Sequence, residues 1–201
     1  MFTALQALLN SLAVTFDLPI LDWIQAHLQC TFLDVTMPIV TLFGDGGVFW
    51  IAVAVVLLLF AKYRKTGFSM GMALVLGLLV CNILLKPQVA RIRPYNFQLQ
   101  EYGREITLLV KGLNDYSFPS GHTIASFEAC TVLMLHDKRL GIPATVLAIL
   151  IAFSRLYLYV HYPTDVLVSL VLGILFGFLG NYIVDQIYKK KVYNGKYSLE
   201  E

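Results

Sequence analysis

The sequence predicts an all-α integral membrane protein: a six-transmembrane-helix bundle preceded by an N-terminal amphipathic interfacial segment. Three observations carry this expectation. The 201 residues are 58% hydrophobic and only 14% charged, with a mean hydropathy of +0.70, far from an ordinary soluble domain. The apolar residues gather in stretches approaching the ~20 residues a helix needs to cross a hydrocarbon core of about 30 Å. With six crossings, the basic loops between those stretches all fall on one side.

Residues 1–30 come first. From Phe2 to Leu28, scattered polar residues interrupt Leu, Ile, Phe and Trp23, which suits a helix lying in the interface. A poorly ordered leader is the plainer alternative. No Lys or Arg precedes Lys62, so the basic start of a secretory signal peptide is missing.

Residues 31–188 form the predicted membrane domain. Its first span, Thr31 to Phe43, is the weakest, interrupted by Asp34 and Pro38. The others run from Gly47 to Ala61, Phe68 to Leu85, Thr123 to Leu135, Ile142 to Tyr159 and Val166 to Tyr188. Residues 189–201 form a polar basic tail whose lysines suit anionic lipid. Cys30, Cys81 and Cys130 lie on or beside apolar stretches without metal-ligand spacing, and read as small buried hydrophobes.

Orientation follows from three basic loops, "AKYRKTG" (61–67), "HDKRLG" (136–141) and "YKKKVYNGKY" (188–197), which the positive-inside rule places in the cytoplasm with both termini. The opposite face then carries Lys86, Arg91, Arg93, Arg104, Lys111 and Arg155, against that rule. Position explains them. Lys86 ends the third span, His122 opens the fourth, Arg155 closes the fifth, and His161 and Asp165 open the sixth. Singly, each could be a snorkelling or capping residue. Together they put ionisable groups at one depth on one face, where such groups mark a functional site.

Their chemistry suits phosphate. In "PSGH" (119–122), Ser120 and Gly121 start a helix whose free N–H groups and dipole favour an anion. Lys86, Arg93 and Arg155 add positive charge, the arginines as bidentate forks. Two histidines then suit phosphoryl transfer: neutral imidazole attacks phosphorus, and a second protonates the departing oxygen, which predicts a bell-shaped pH profile. Asp165, four residues after His161, can accept from its far ring nitrogen and fix the tautomer. A non-catalytic lipid-phosphate transporter or binding scaffold would use the same cations, without need of a nucleophile and its orienting carboxylate.

These residues carry a family resemblance. "KPQVARIRP" (86–94), "PSGH" (119–122) and "SRLYLYVHYPTD" (154–165) are three complete signatures, in order. Together they resemble the type-2 phosphatidic acid phosphatase superfamily, which also includes haloperoxidases and glucose-6-phosphatase relatives. The resemblance implies that His161 is the nucleophile and forms a phosphohistidine. It implies that Asp165 orients His161, that His122 is general acid and then base, and that Lys86, Arg93, Ser120, Gly121 and Arg155 bind phosphate. It implies no metal, and no cofactor or nucleic-acid partner is expected.

Between the first two signatures only Tyr95 to Phe118 intervene, too few for another domain, so the compact form is similar to bacterial undecaprenyl-diphosphate phosphatases. The expected ligand is thus a membrane lipid phosphate or diphosphate, met at the outer face of a bacterial plasma membrane. Phosphatidylglycerophosphate and phosphatidate phosphatases share the signatures and stand as alternatives. Three side features complete the reading. Ser169, Gly173 and Gly177 allow close helix approach, within one bundle or across a homodimer seam. Glu128 is expected to face the interior, and Asp45 in "GDGG" to brace its own turn.

Overall fold

The structure, a computed structural model, describes residues 2–197, with side chains over residues 6–190. Those residues form helices and loops, with no strand among them. Helix α1 (Phe2–Leu12) continues through a π-turn into α2 (Leu18–Leu28), followed by α3 (Thr31–Leu42) and α4 (Val48–Leu59). Helix α5 (Arg64–Gly77) widens into a π-helix (Leu78–Leu85) and ends in a short α6 (Lys86–Val89). The wide turns precede Pro87, which has no N–H for the normal ladder and crowds the turn behind it. Then come α7 (Pro94–Tyr102), α8 (Gly121–His136), α9 (Lys138–Tyr157) and α10 (Pro163–Tyr197).

Helix α8 stands at the centre, packed on α5, α9 and α10. Ten of its residues are buried, including Thr123, Ser126, Glu128 and Thr131. Lipid-facing residues elsewhere are apolar and exposed, such as Val55, Leu59, Val75, Ile83, Val171 and Leu175. A helix surrounded by protein is free to carry polar groups that lipid would reject.

Among the described residues, five helical stretches are long and apolar enough to cross a membrane: Gln6–Leu28, Thr31–Leu59, Ala61–Tyr102, Lys138–Tyr157 and Pro163–Lys190. The expected six spans are not reproduced one for one. Helix α8 is too polar and short to count, for the reason just given. The predicted first span, residues 31–43, reaches only the upper part of α9, the upper end being the one that carries Lys86, Gly121 and Pro163. The Cys30 N–H donates to Tyr157 Oη (3.4 Å), the Tyr157 hydroxyl donates to Asp34 Oδ1 (2.6 Å), and Arg155 Nη1 donates to Thr41 Oγ1 (2.5 Å).

The leading segment packs at the upper end as well. Gln6 Nε2 donates to Val89 O (2.6 Å), Arg91 Nη2 donates to Leu9 O (2.8 Å), and Gln25 Nε2 donates to Tyr157 O (2.8 Å). All three partners are at the upper end, so the segment lies across it, while α10 leads away to the lower end. Among the described residues, the leading segment and the far end of α10 thus lie at opposite ends of the bundle, not on one shared side as expected. The unpaired C=O groups where α6 and α9 stop attract the amide side chains of Gln6 and Gln25.

At the lower end the basic loops do gather. Lys65 pairs with Asp185 (2.6 Å), and the Tyr63 hydroxyl donates to Asp137 Oδ2 (3.2 Å). Cys81 and Cys130 are buried as expected, whereas Cys30, in the α2–α3 connection, is exposed.

The small-residue stripe on α10 is spent inside the bundle. A Cβ on Gly173 would meet Ile124 O and Phe127 Cβ at 2.8 Å, and one on Gly177 would meet Thr131 Cβ at 2.7 Å. Gly173→Val should therefore destabilise the fold by about 1–3 kcal/mol through overpacking. Thermal unfolding in detergent checks this; an unchanged Tm would show that α8 and α10 are not packed this closely.

Candidate active site

Four helix ends deliver the polar side chains. Helix α6 stops at Ala90, whose φ of +49° turns the chain so that Arg93, in extended backbone, comes back toward Lys86. The turn between α9 and α10 carries Tyr159 at φ +58°, an uncommon conformation for a bulky residue. Its hydroxyl donates to Asp22 (2.8 Å) and accepts from Gln98 (2.9 Å), holding the turn that presents His161.

A cavity of about 310 Å³ opens among these ends, lined by Lys86, Arg93, Gly121, His122, Arg155 and His161. Ile51, Leu74, Leu78 and Ile124 give it apolar walls. Six of the eight residues expected at the site thus meet at one cavity. Ser120 and Asp165 lie behind it, fully buried. The Ser120 N–H donates to Ser169 Oγ (2.7 Å), and the Ser169 hydroxyl donates to Asp165 O (2.6 Å). The Ser120 N–H is therefore engaged by α10 instead of facing the cavity.

His161 is 1% exposed. Its Nε2 is 3.3 Å from Arg93 Nη1, which can only donate, so Nε2 is the acceptor and the ring proton sits on Nδ1. Nδ1 faces Asp165 Oδ2 at 3.5 Å, beyond hydrogen-bonding geometry, and has no other partner. Burial first, then the charges of Arg93, Arg155 and Lys86, push the imidazole pKa well below its usual value. The ring is therefore neutral near pH 7, as a nucleophile requires. Arg155 is 3% exposed, and its Nε is buried without a hydrogen-bond partner.

Several partners were not legible as site residues. Asp115, in the irregular 103–120 loop, accepts from Lys86 Nζ (2.5 Å) and Arg93 Nη2 (2.6 Å). Burial alone would raise its pKa, but these two cations outweigh it and hold the carboxyl down to about 2. Asp45 does not brace its own turn; it accepts from His122 Nε2 (2.7 Å). Arg91, set between the signature residues, pairs with Asp165 (2.5 Å) and Asp17 (2.7 Å) and stacks on Tyr162 (3.7 Å). Asp165 also accepts from the Ser117 hydroxyl and the Tyr162 N–H (3.0 Å). Glu128 faces the interior as expected, lines the cavity and leaves Oε1 without a partner. No cluster of potential metal ligands occurs among the described residues.

A family profile described as the PAP2 superfamily matches residues 66–189. The chain belongs to the PAP2 superfamily. Similar proteins include an undecaprenyl-diphosphatase of Sulfolobus acidocaldarius, 36% identical over 65% of this chain and 61% of the relative. Phosphatidylglycerophosphatase B of Bacillus subtilis is 34% identical over 71% of this chain and 64% of its own. The chain thus spans less than two thirds of these curated relatives. Among solved structures, a PAP2-type phosphatidylglycerolphosphate phosphatase from Bacillus subtilis superposes with a TM-score of 0.71 at 27% identity, covering 92% of this chain and 93% of that one. In this PAP2 chain all three signatures fall at the cavity, which explains why they are far apart in sequence.

Proposed function

We propose that this PAP2 protein is a membrane lipid phosphatase that hydrolyses a lipid diphosphate, with undecaprenyl diphosphate as the favoured substrate. The observation that carries the reading is the placement of His161: it lines a cavity with Lys86, Arg93 and Arg155, its acceptor nitrogen faces Arg93, and its protonated nitrogen faces Asp165.

In the proposed reaction the cations and the Gly121 backbone hold the terminal phosphate in line with His161. Nε2 attacks phosphorus, the bond to the departing oxygen breaks, and His122 supplies that oxygen's proton. The imidazolium formed on His161 is stabilised by Asp165. His122 then takes a proton from water, the new hydroxide attacks phosphorus, the P–N bond breaks, and inorganic phosphate leaves. His122 must first let go of Asp45. The apolar walls below the cations would receive the first part of a lipid chain.

The undecaprenyl-diphosphatase relative supports the diphosphate reading. Phosphatidylglycerophosphate is the second reading, supported by the Bacillus subtilis relatives. We place the site at the outer face of a bacterial plasma membrane, because the basic loops gather at the opposite end of the bundle.

The test is phosphate release by the purified protein in one detergent from undecaprenyl diphosphate, phosphatidylglycerophosphate and phosphatidate. Release should be fastest from the diphosphate. Release from none of the three would remove the enzyme assignment, and preference for a monoester would move the substrate to the second reading.

A further inference from the structure

Two of the three cations around the cavity already hold an anion that belongs to the protein. Asp115 Oδ2 accepts from Lys86, Oδ1 accepts from Arg93 Nη2, and the Asp115 carbonyl accepts from Arg93 Nε (2.9 Å). The remaining forked nitrogen of Arg93, Nη1, donates to Val160 O (2.7 Å) and faces His161. The Lys86 N–H and the Arg93 Nη2 now given to Asp115 become available to a phosphate only when that carboxylate leaves.

The loop is built so that this carboxylate can leave without unfolding. Tyr95 Oη pins Leu113, accepting from its N–H (2.9 Å) and donating to its carbonyl (2.7 Å). The Ser117 N–H donates to Arg91 O (2.8 Å). Between the pins, Asn114, Asp115 and Tyr116 form an exposed arch. The Asp115 side chain is 52% exposed, against 16% for Lys86 and 2% for Arg93. The cations are fixed and the anion is at the solvent side.

From this geometry we infer that Asp115 is a specificity-determining residue: an internal carboxylate that yields to a terminal phosphate carrying two or more charges and holds off singly charged phosphodiesters. The inference rests on the proposed phosphatase reading and adds the charge selection. Exchanging one monoanion for another on the same two cations gains little attraction, and an incoming molecule also loses translational freedom. A dianion or diphosphate gains further attraction from Lys86, Arg93 and Arg155 together. A cationic cavity at headgroup level meets phosphodiester lipids in excess, and selection there requires an element that works against the wrong ligand.

The test compares two soluble competitors, inorganic phosphate and dimethyl phosphate, above neutral pH, where the first is mainly a dianion and the second a monoanion. Their inhibition of phosphate release from farnesyl diphosphate is measured for the wild type, Asp115→Asn and Asp115→Glu. The wild type should favour inorganic phosphate strongly. Asp115→Asn should bind dimethyl phosphate about tenfold or more tighter than the wild type does, narrowing the ratio between competitors. Asp115→Glu should restore the ratio.

An unchanged ratio in Asp115→Asn overturns the inference. So does equal weakening of both competitors, which would mean that Asp115 merely holds Lys86 and Arg93 in place. If the wild type releases no phosphate, the function reading fails separately. The same ratio, read by calorimetry with the two competitors, then decides the binding selectivity.

Discussion

His161→Ala should lower kcat by about a thousandfold or more, because it removes the proposed nucleophile and leaves only binding and the remaining donors. The cations of the cavity stay, so substrate affinity should change far less than turnover. The pH dependence of the unaltered protein tests the same residue. Burial and the charges of Arg93, Arg155 and Lys86 depress the His161 pKa below its ordinary 6.5. The ring therefore stays neutral, and able to attack, as pH falls through 6.5, and is lost only at lower pH. The acid limb of kcat/KM, which reports the free enzyme, should lie below 6.5. An acid limb above that value, or a His161→Ala protein with undiminished turnover, would remove His161 from the chemistry.

The second large effect is expected at Arg91, which does not line the cavity. Its side chain is 2% exposed and lies between two fully buried carboxylates, Asp17 and Asp165. Arg91→Met leaves both without their cation, and breaking a buried pair of this kind costs roughly 3–5 kcal/mol. The same arginine holds Asp165 Oδ1, so that Oδ2 is the oxygen facing His161. A reoriented Asp165 should lower kcat by about a hundredfold, with KM little changed. Asp17→Asn keeps the Arg91–Asp165 pair, so it should cost stability and leave most of the turnover. A double-mutant cycle between positions 17 and 91, read by Tm and by kcat, separates the two roles. Equal kcat for Arg91→Met and the wild type would make Arg91 a structural tie alone.

The Arg91 network also shows where sequence reasoning stopped. Lys86, Arg93, His122, Arg155 and His161 are legible because they fall at or just beyond the ends of apolar stretches and converge at one depth, where ionisable groups mark a functional site. Arg91 has the same exposure to inspection in "RIRP" but nothing local marks its partners, which are 74 residues away on either side. Asp115 is one polar residue in a polar loop, and Asp45 sits in a glycine turn that offers it a sufficient local role. Arg91 answered to a burial that no spacing records.

The fold divides in the same way. Apolar length identified α4, α5, α9 and α10, because lipid imposes its thickness on any helix that faces it. Helix α8 shows a shorter apolar run, Thr123 to Leu135, broken by polar residues, since its surroundings are protein. The stretch from Phe2 to Leu42 is apolar enough to suggest one amphipathic segment and one short span. Its actual course across the upper helix ends depends on where Val89, Arg91 and Tyr157 present unpaired groups.

From its residues alone, then, this chain is a helical membrane protein of the PAP2 type with a histidine poised among cations, because membrane thickness and phosphate chemistry act on short runs of sequence. Tertiary structure alone decided that Asp115 occupies the cations, that Asp45 holds His122, and that Asp17 and Arg91 brace Asp165. Those contacts join distant segments, and a carboxylate meets its partner only after folding has brought the two within hydrogen-bonding reach.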